Sequence, residues 1–180
     1  FIPGQEGDLQ ASLISQNVNL DELLANKAAS GKGDTSYIMK FNPRLVCELN
    51  VNVGQLNFRK FKASNFKGQI LLKDQVISGR QLTFGAMNGK VVMDATINAS
   101  RKDSLFMYYD TRFNKIDVTQ MFYQLENFDQ HILTDKNVKG SISADVQFSS
   151  AWSNSLDLNS RSVKSTSSVT IENGELNDFV

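Results

Sequence analysis

Apolar and polar residues alternate with a period of two over most of this chain. From Leu45 the apolar positions are Leu45, Cys47, Leu49, Val51 and Val53, with Glu48, Asn50 and Asn52 between them. The run predicts a strand with one buried and one wetted face, because successive side chains of a strand point to opposite sides. The same pattern returns at Phe66, Gly68, Ile70 and Leu72, at Leu82 and Phe84, and at Val91, Met93, Ala95, Ile97 and Ala99. It continues at Leu105, Met107 and Tyr109, and again at Val138, Gly140, Ile142, Ala144, Val146 and Phe148. Gly79, Asn88-Gly89 and Asn173-Gly174 fall between or after these runs and read as tight connections. Asn-Gly suits the positive-φ positions of a two-residue hairpin, so neighbouring strands are expected to be antiparallel. Neither of the two prolines lies in a run. The expected fold class is mainly β (α+β): a curved antiparallel meander of about seven to nine strands.

Helical spacing is sparse. Over residues 117–128 the apolar positions Val118, Met121, Phe122, Leu125 and Phe128 define one substantial helix packed on the sheet, with Asp117 or Thr119 as its cap. A shorter helix is predicted over residues 20–26 with Asn19 capping it. Val18–Leu24 loosely matches Ile116–Phe122, each reading as a strand end that runs into a helix. Ala28-Ala29-Ser30-Gly31-Lys32-Gly33-Asp34 reads as flexible linker. The expected organisation is therefore 1–25 as the end of a preceding strand-helix unit, 26–40 as linker and 41–180 as the β-rich domain. Both chain ends read as cut from a longer protein. Eleven serines fall within residues 141–168, yet Ile142, Val146, Phe148, Leu156 and Leu158 keep the alternation. Strands with a hydroxyl-rich wet face are expected there, joined by a turn at residues 151–154.

Composition narrows the function classes. The chain has 180 residues, 19 Lys+Arg against 19 Asp+Glu, one His and one Cys. Zero net charge removes the field that dominates nucleic-acid binding, so no nucleic-acid partner is expected. One Cys and one His build neither an internal disulfide nor a common zinc site. No apolar run approaches the roughly 20 residues of a membrane-spanning helix.

Catalytic residues are not legible. His131 is the only imidazole and reads as a loop residue. Cys47 sits on the apolar side of a strand. Asp103, Asp110 and Asp117 recur at intervals of seven without sharing a face. Gly85–Gly89 lacks the Lys and helix of a phosphate loop, and Asn98-Ala99-Ser100 is a glycosylation tripeptide of the kind chance supplies. No enzyme activity, cofactor or metal is expected. The segment Phe58–Lys67 interleaves Arg59, Lys60, Lys62 and Lys67 with three Phe. That pattern suits stacking on a single-stranded nucleic acid, lipid headgroup contact, or a plain strand with a cationic wet side. An antiparallel meander must also cover its apolar face with a second sheet, with the helix or with a ligand. Closure into a sandwich and an open apolar trough are both consistent with the periodicity.

From about Leu45 to its end the chain resembles the C-terminal region of the AsmA-like family. The resemblance rests on Leu49–Phe58 followed by Phe66–Leu72, on the hairpin Gln81–Ile97, and on the strand-into-helix step Phe113–Phe122. The Gly-bearing strand Val138–Val146 and the closing segment Val169–Phe179 complete it, in the family's order. The resemblance implies a non-enzymatic periplasmic module of a Gram-negative envelope protein involved in outer-membrane biogenesis. It implies an inner-membrane anchor outside this segment, envelope proteins and the rest of the parent chain as partners, and lipid transport in which phospholipid lies on an apolar sheet groove. The lipid-groove candidates are Val91, Met93, Ala95 and Ile97; Arg59, Lys60, Lys62 and Lys67 are the headgroup-contact candidates. The alternative is a structural or protein-interaction β-domain with no ligand of its own.

Overall fold

A computed structural model describes residues 7–22, 41–129, 131–153 and 158–177. Eight strands form one sheet in sequence order: β1 (Gly7–Asn19), β2 (Leu45–Phe58), β3 (Phe61–Lys73), β4 (Val76–Ala86), β5 (Gly89–Asn98), β6 (Ser104–Asp117), β7 (Val138–Ser153) and β8 (Leu158–Leu176). The chain is mainly β, as the alternation predicts, and the sheet does not close.

β2 to β8 form an antiparallel meander, but β1 pairs with β2 in parallel, Leu9 against Cys47 and Leu13 against Val51. The sheet is therefore mixed, which corrects the wholly antiparallel expectation. Residues 20–44 separate β1 from β2, long enough for the crossover that a parallel pair requires and a hairpin turn cannot supply. Residues 20–22 are helical, with Asn19 Oδ1 accepting from the Asp21 N–H at 3.0 Å and Asn19 Nδ2 donating to Glu22 Oε1 at 2.9 Å. The linker expected over 26–40 lies outside the described residues.

The hairpins are tight. Ala86 pairs with Gly89 across Met87 and Asn88, both at positive φ, so the turn sits one residue earlier than Asn88-Gly89 suggests. Gly79 and Asn173-Gly174 are not connections. Gly79 lies inside β4, and Asn173-Gly174 lie inside β8 as a bulge opposite Gly140. Further bulges interrupt β3 at Asn65-Phe66, β4 at Arg80-Gln81 and β6 at Asn114-Lys115. Asn65, Gln81, Lys115 and Asn173 each carry positive φ at these sites. Asp94 Oδ1 accepts from the Gln81 N–H at 2.6 Å and Ser143 Oγ from the Lys115 N–H at 3.1 Å, so side chains take up donors that the ladder drops. The turn expected at residues 151–154 is strand through Ser153, and residues 154–157 lie outside the described set.

Helix α1 (Val118–Gln124) is shorter than the 117–128 expected. Asp117 caps it, its side chain accepting from the Gln120 N–H at 2.9 Å. Glu126, Asn127 and Phe128 all have positive φ, which turns the chain left-handed where the apolar spacing alone would continue the helix. α1 lies against β6 and β7, and Thr119 Oγ1 donates to the Val138 carbonyl at 2.7 Å.

The core is built on one face of the sheet. A first cluster joins Ala63, Phe84, Ala86, Met87, Val91 and Ile116, with Phe66, Phe113 and Met121 packed against it. A second joins Ala99, Leu105 and Met107, with Phe41, Ile97 and Trp152 against it. Leu105 and Ile116 are fully covered.

Candidate functional site

Cross-strand partners share a face, so the register assigns each candidate to a side of the sheet. Phe84, Val91 and Phe113 are paired in series and lie on the apolar face. Met93, Ala95 and Ile97 follow Val91 at alternate positions on β5. Val91 is closed off, 1% exposed inside the first cluster. Met93 packs on that same cluster and Ile97 on the second, while Ala95 belongs to neither; all three are half-buried.

Leu82 fills the centre of this face. It is buried, and its side chain reaches over Gly68 and Gly79, where an added Cβ would come within 2.6 Å of its methyl carbons. The Arg80-Gln81 bulge brings Leu82 into register with Met93.

Away from the centre the apolar face is uncovered. On β8, Val169 pairs with Ala144 and Ile171 with Ile142, continuing the face, yet Val169 is 50% exposed and Ile171 63%. On β1, Leu9 is 51% and Leu13 40% exposed on the side they share with Cys47 and Val51. Sequence reasoning missed these four residues, although Leu9, Ala11 and Leu13 and then Val169 and Ile171 carry the same alternation used elsewhere. The apolar face thus has a packed centre and two bare margins.

The cationic candidates are not one cluster. Lys67 pairs with Thr83, Thr83 with Val92 and Val92 with Arg112, which places Lys67 on the face opposite Val91. Lys62 also lies opposite the apolar face, because its neighbour Ala63 is part of the core. Arg59 and Lys60 instead form the tip of the β2–β3 hairpin. Arg59 Nη1 lies 3.5 Å from Glu126 Oε2 and its guanidinium rides over the Phe58 ring, while Lys60 Nζ sits 5.2 Å from the Tyr123 ring centre. The Lys62 N–H donates to Gln124 Oε1 at 3.2 Å, so this hairpin docks against the end of α1.

The polar face holds an open depression of about 740 Å³ lined by Lys67, Gln69, Ser78, Arg80, Asp94 and Tyr108. Elsewhere on that face Arg112 Nε meets Asp145 Oδ1 at 2.8 Å; this hydrogen bond, with the carboxylate charge, holds the guanidinium pKa above its ordinary value. The side chains are well exposed, so the pair adds little stability. Asp110 and Asp117 both belong to β6, where Asp110 accepts from Gln147 Nε2 and Asp117 caps α1. His131 is exposed in a bend, and no group of three His, Cys, Asp or Glu among the described residues is placed to hold a metal ion. No helix of the described residues is long and apolar enough to cross a membrane.

Comparison of the chain with protein-family models, with curated proteins and with solved structures finds no match.

Proposed function

We propose that this chain is a non-enzymatic module that holds phospholipid acyl chains on the apolar face of its sheet, as part of an AsmA-like envelope protein working in the periplasm. The observation that carries the reading is the open sheet whose apolar face reaches both edges bare, at Leu9 and Leu13 on one side and Val169 and Ile171 on the other. An acyl chain laid across such a margin gains roughly 25 cal/mol for each Å² of apolar surface taken from water. The bulges support a curved sheet, since each one bends its strand and adds right-handed twist. On β5, Ala95 lies between the two packed clusters and is the position an acyl chain would reach from a margin; Met93 and Ile97 pack on the clusters and Val91 serves the core. The polar headgroup stays in water beside the sheet.

Native mass spectrometry of the purified protein, with organic extraction of whatever accompanies it, tests this reading. Phospholipid bound at near-integer stoichiometry is expected. A clean apo mass with no uptake from added phospholipid vesicles overturns it and favours the alternative, a β-domain that spaces or joins other protein parts.

A further inference from the structure

Strand β8 is 19 residues long and exposed almost throughout; its inner edge pairs with β7, and among the described residues nothing pairs with its outer edge. Long free edges in natural sheets are blunted by proline, by bulges or by charges that repel a further strand. β8 contains no proline, and its pairing with β7 breaks twice, at Asn173-Gly174 and over residues 160–163, which leaves Lys164 to Glu172 as one unbroken stretch of edge. Its charges are divided by sign. Arg161 and Lys164 occupy the first half, Glu172 and Glu175 the second. They are palindromic about Ser168: Lys164 and Glu172 lie four residues to either side, Arg161 and Glu175 seven.

We propose that the partner of this edge is a second copy of the same chain, its β8 added antiparallel with Ser168 on the two-fold axis. In that register Lys164 of each copy stands directly opposite Glu172 of the other, and Thr166 opposite Thr170. Lys164 pairs with Ser149 and Glu172 with Ser141, both on the polar face, so the opposed charges project to the same side. A slip of two residues sets Lys164 against Thr170 or Gly174 and loses both pairs; a parallel arrangement in the same register sets Lys against Lys. The other free edge offers no such complement, since Asp8 is the one charged residue of β1. The pairing is isologous and uses up both β8 edges, so it closes as a dimer and does not propagate through β8. It also sets Ile171 beside Ser165 of the other copy and Val169 beside Ser167, joining the two apolar margins into one face. The proposal stands on charge and register alone and is independent of what the apolar face carries.

Sedimentation equilibrium over a range of protein concentrations tests it. The expected result is a monomer–dimer equilibrium in which Lys164→Glu and Glu172→Lys each weaken the dimer about tenfold, because each reversal turns two cross-strand attractions into repulsions. The double variant Lys164→Glu/Glu172→Lys is expected to restore the dimer to within about threefold of the parent. Ser168→Cys in a Cys47→Ser background is expected to oxidise to a covalent dimer, since the two Ser168 face each other on the axis. A parent chain that stays monomeric, or a dimer indifferent to both reversals, overturns the proposal; the second result would assign the contact to β1 or to the apolar face. Far-UV circular dichroism checks that each variant folds. Should a single reversal fail to fold, the double charge swap decides alone, its dimer supporting the register and its loss refuting it.

Discussion

Ile116 and Ile171 lie on the same apolar face, one at its centre and the other at its margin, and truncating each to alanine separates a packed core from a bare surface. Ile116 is 0% exposed, enclosed by Ala63, Phe84, Ala86, Met87 and Val91. Ile116→Ala removes three carbons, about 2.4 kcal/mol of transfer free energy at roughly 0.8 kcal/mol each. The strand is held on both sides, with the Asp117 N–H donating to the Met87 carbonyl at 2.9 Å, so the cavity cannot fully collapse. Its residual volume raises the expected cost to about 3–4 kcal/mol, which lowers the melting temperature by about 6–16 °C in a chain of this size. Ile171 keeps 63% of its surface in water. The same truncation there forfeits only its covered third, below about 1 kcal/mol. Urea unfolding followed by far-UV circular dichroism measures both, and the dependence on urea should be unchanged because the area exposed on unfolding hardly differs. Equal costs at the two sites, or a cost below about 1 kcal/mol at Ile116, would refute the division of the face into a closed centre and open margins.

Two further outcomes follow from local geometry. Gly140 has φ +123° opposite the β8 bulge, and a Cβ there would meet the backbone of Gly174 at 3.0 Å and of Glu172 and Asn173 at 3.1 Å. Gly140→Ala should therefore cost about 2 kcal/mol or more and speed amide hydrogen exchange across Glu172–Glu175; a neutral substitution would mean that the bulge is not held as described. Burial raises the pKa of the Tyr109 phenol, whose hydroxyl donates to Met107 Sδ at 3.1 Å. The folded protein then keeps this proton where an unfolded phenol has lost it. The associated stability is present below the ordinary phenol range and is lost as pH rises through the folded value. In an ultraviolet titration Tyr109 should ionise later than an ordinary phenol, and Tyr109→Phe should remove that late phase; no change in the profile would place Tyr109 in water.

Strand existence was legible because alternation is a direct record of burial: the runs from Leu45 and Val138 fall within observed strands, and the run from Val91 does so up to Ile97, with Ala99 just past the end of β5. The interruptions were not legible. Glycine and Asn-Gly are ambiguous between a turn and a bulge, since both need positive φ or close backbone approach. The choice is made by tertiary contacts: Gly79 pairs with Ala95 under the Leu82 side chain, and Asn173-Gly174 bulge against Gly140. The end of α1 was hidden for a related reason. Leu125 and Phe128 keep helical spacing, but the left-handed turn over Glu126–Phe128 places the Phe128 ring edge-on to Phe122 at 5.2 Å and leaves Leu125 partly in water. The parallel pairing of β1 depends on a long connection whose handedness no local pattern encodes.

The two sets of candidate residues also interact differently once the register is known. A sheet one residue thick places Lys67 and Val91 on opposite sides, so a lipid lying against Met93 and Ile97 cannot present its phosphate to Lys67 or Lys62 without passing around an edge or through the sheet. Alternation creates this separation: the residues that make a strand amphipathic are the same residues that put its cations out of reach of its apolar side. A hairpin tip escapes the constraint because it belongs to neither face. Arg59 and Lys60 occupy such a tip, where Tyr123 of the last turn of α1 and Glu126 of the left-handed turn after it meet them. Of the four candidate cations, Arg59 and Lys60 stand at a strand end and Lys62 and Lys67 on the polar face. Lys62 and Lys67 belong with Arg80 and Asp94 to the chemistry of the polar side.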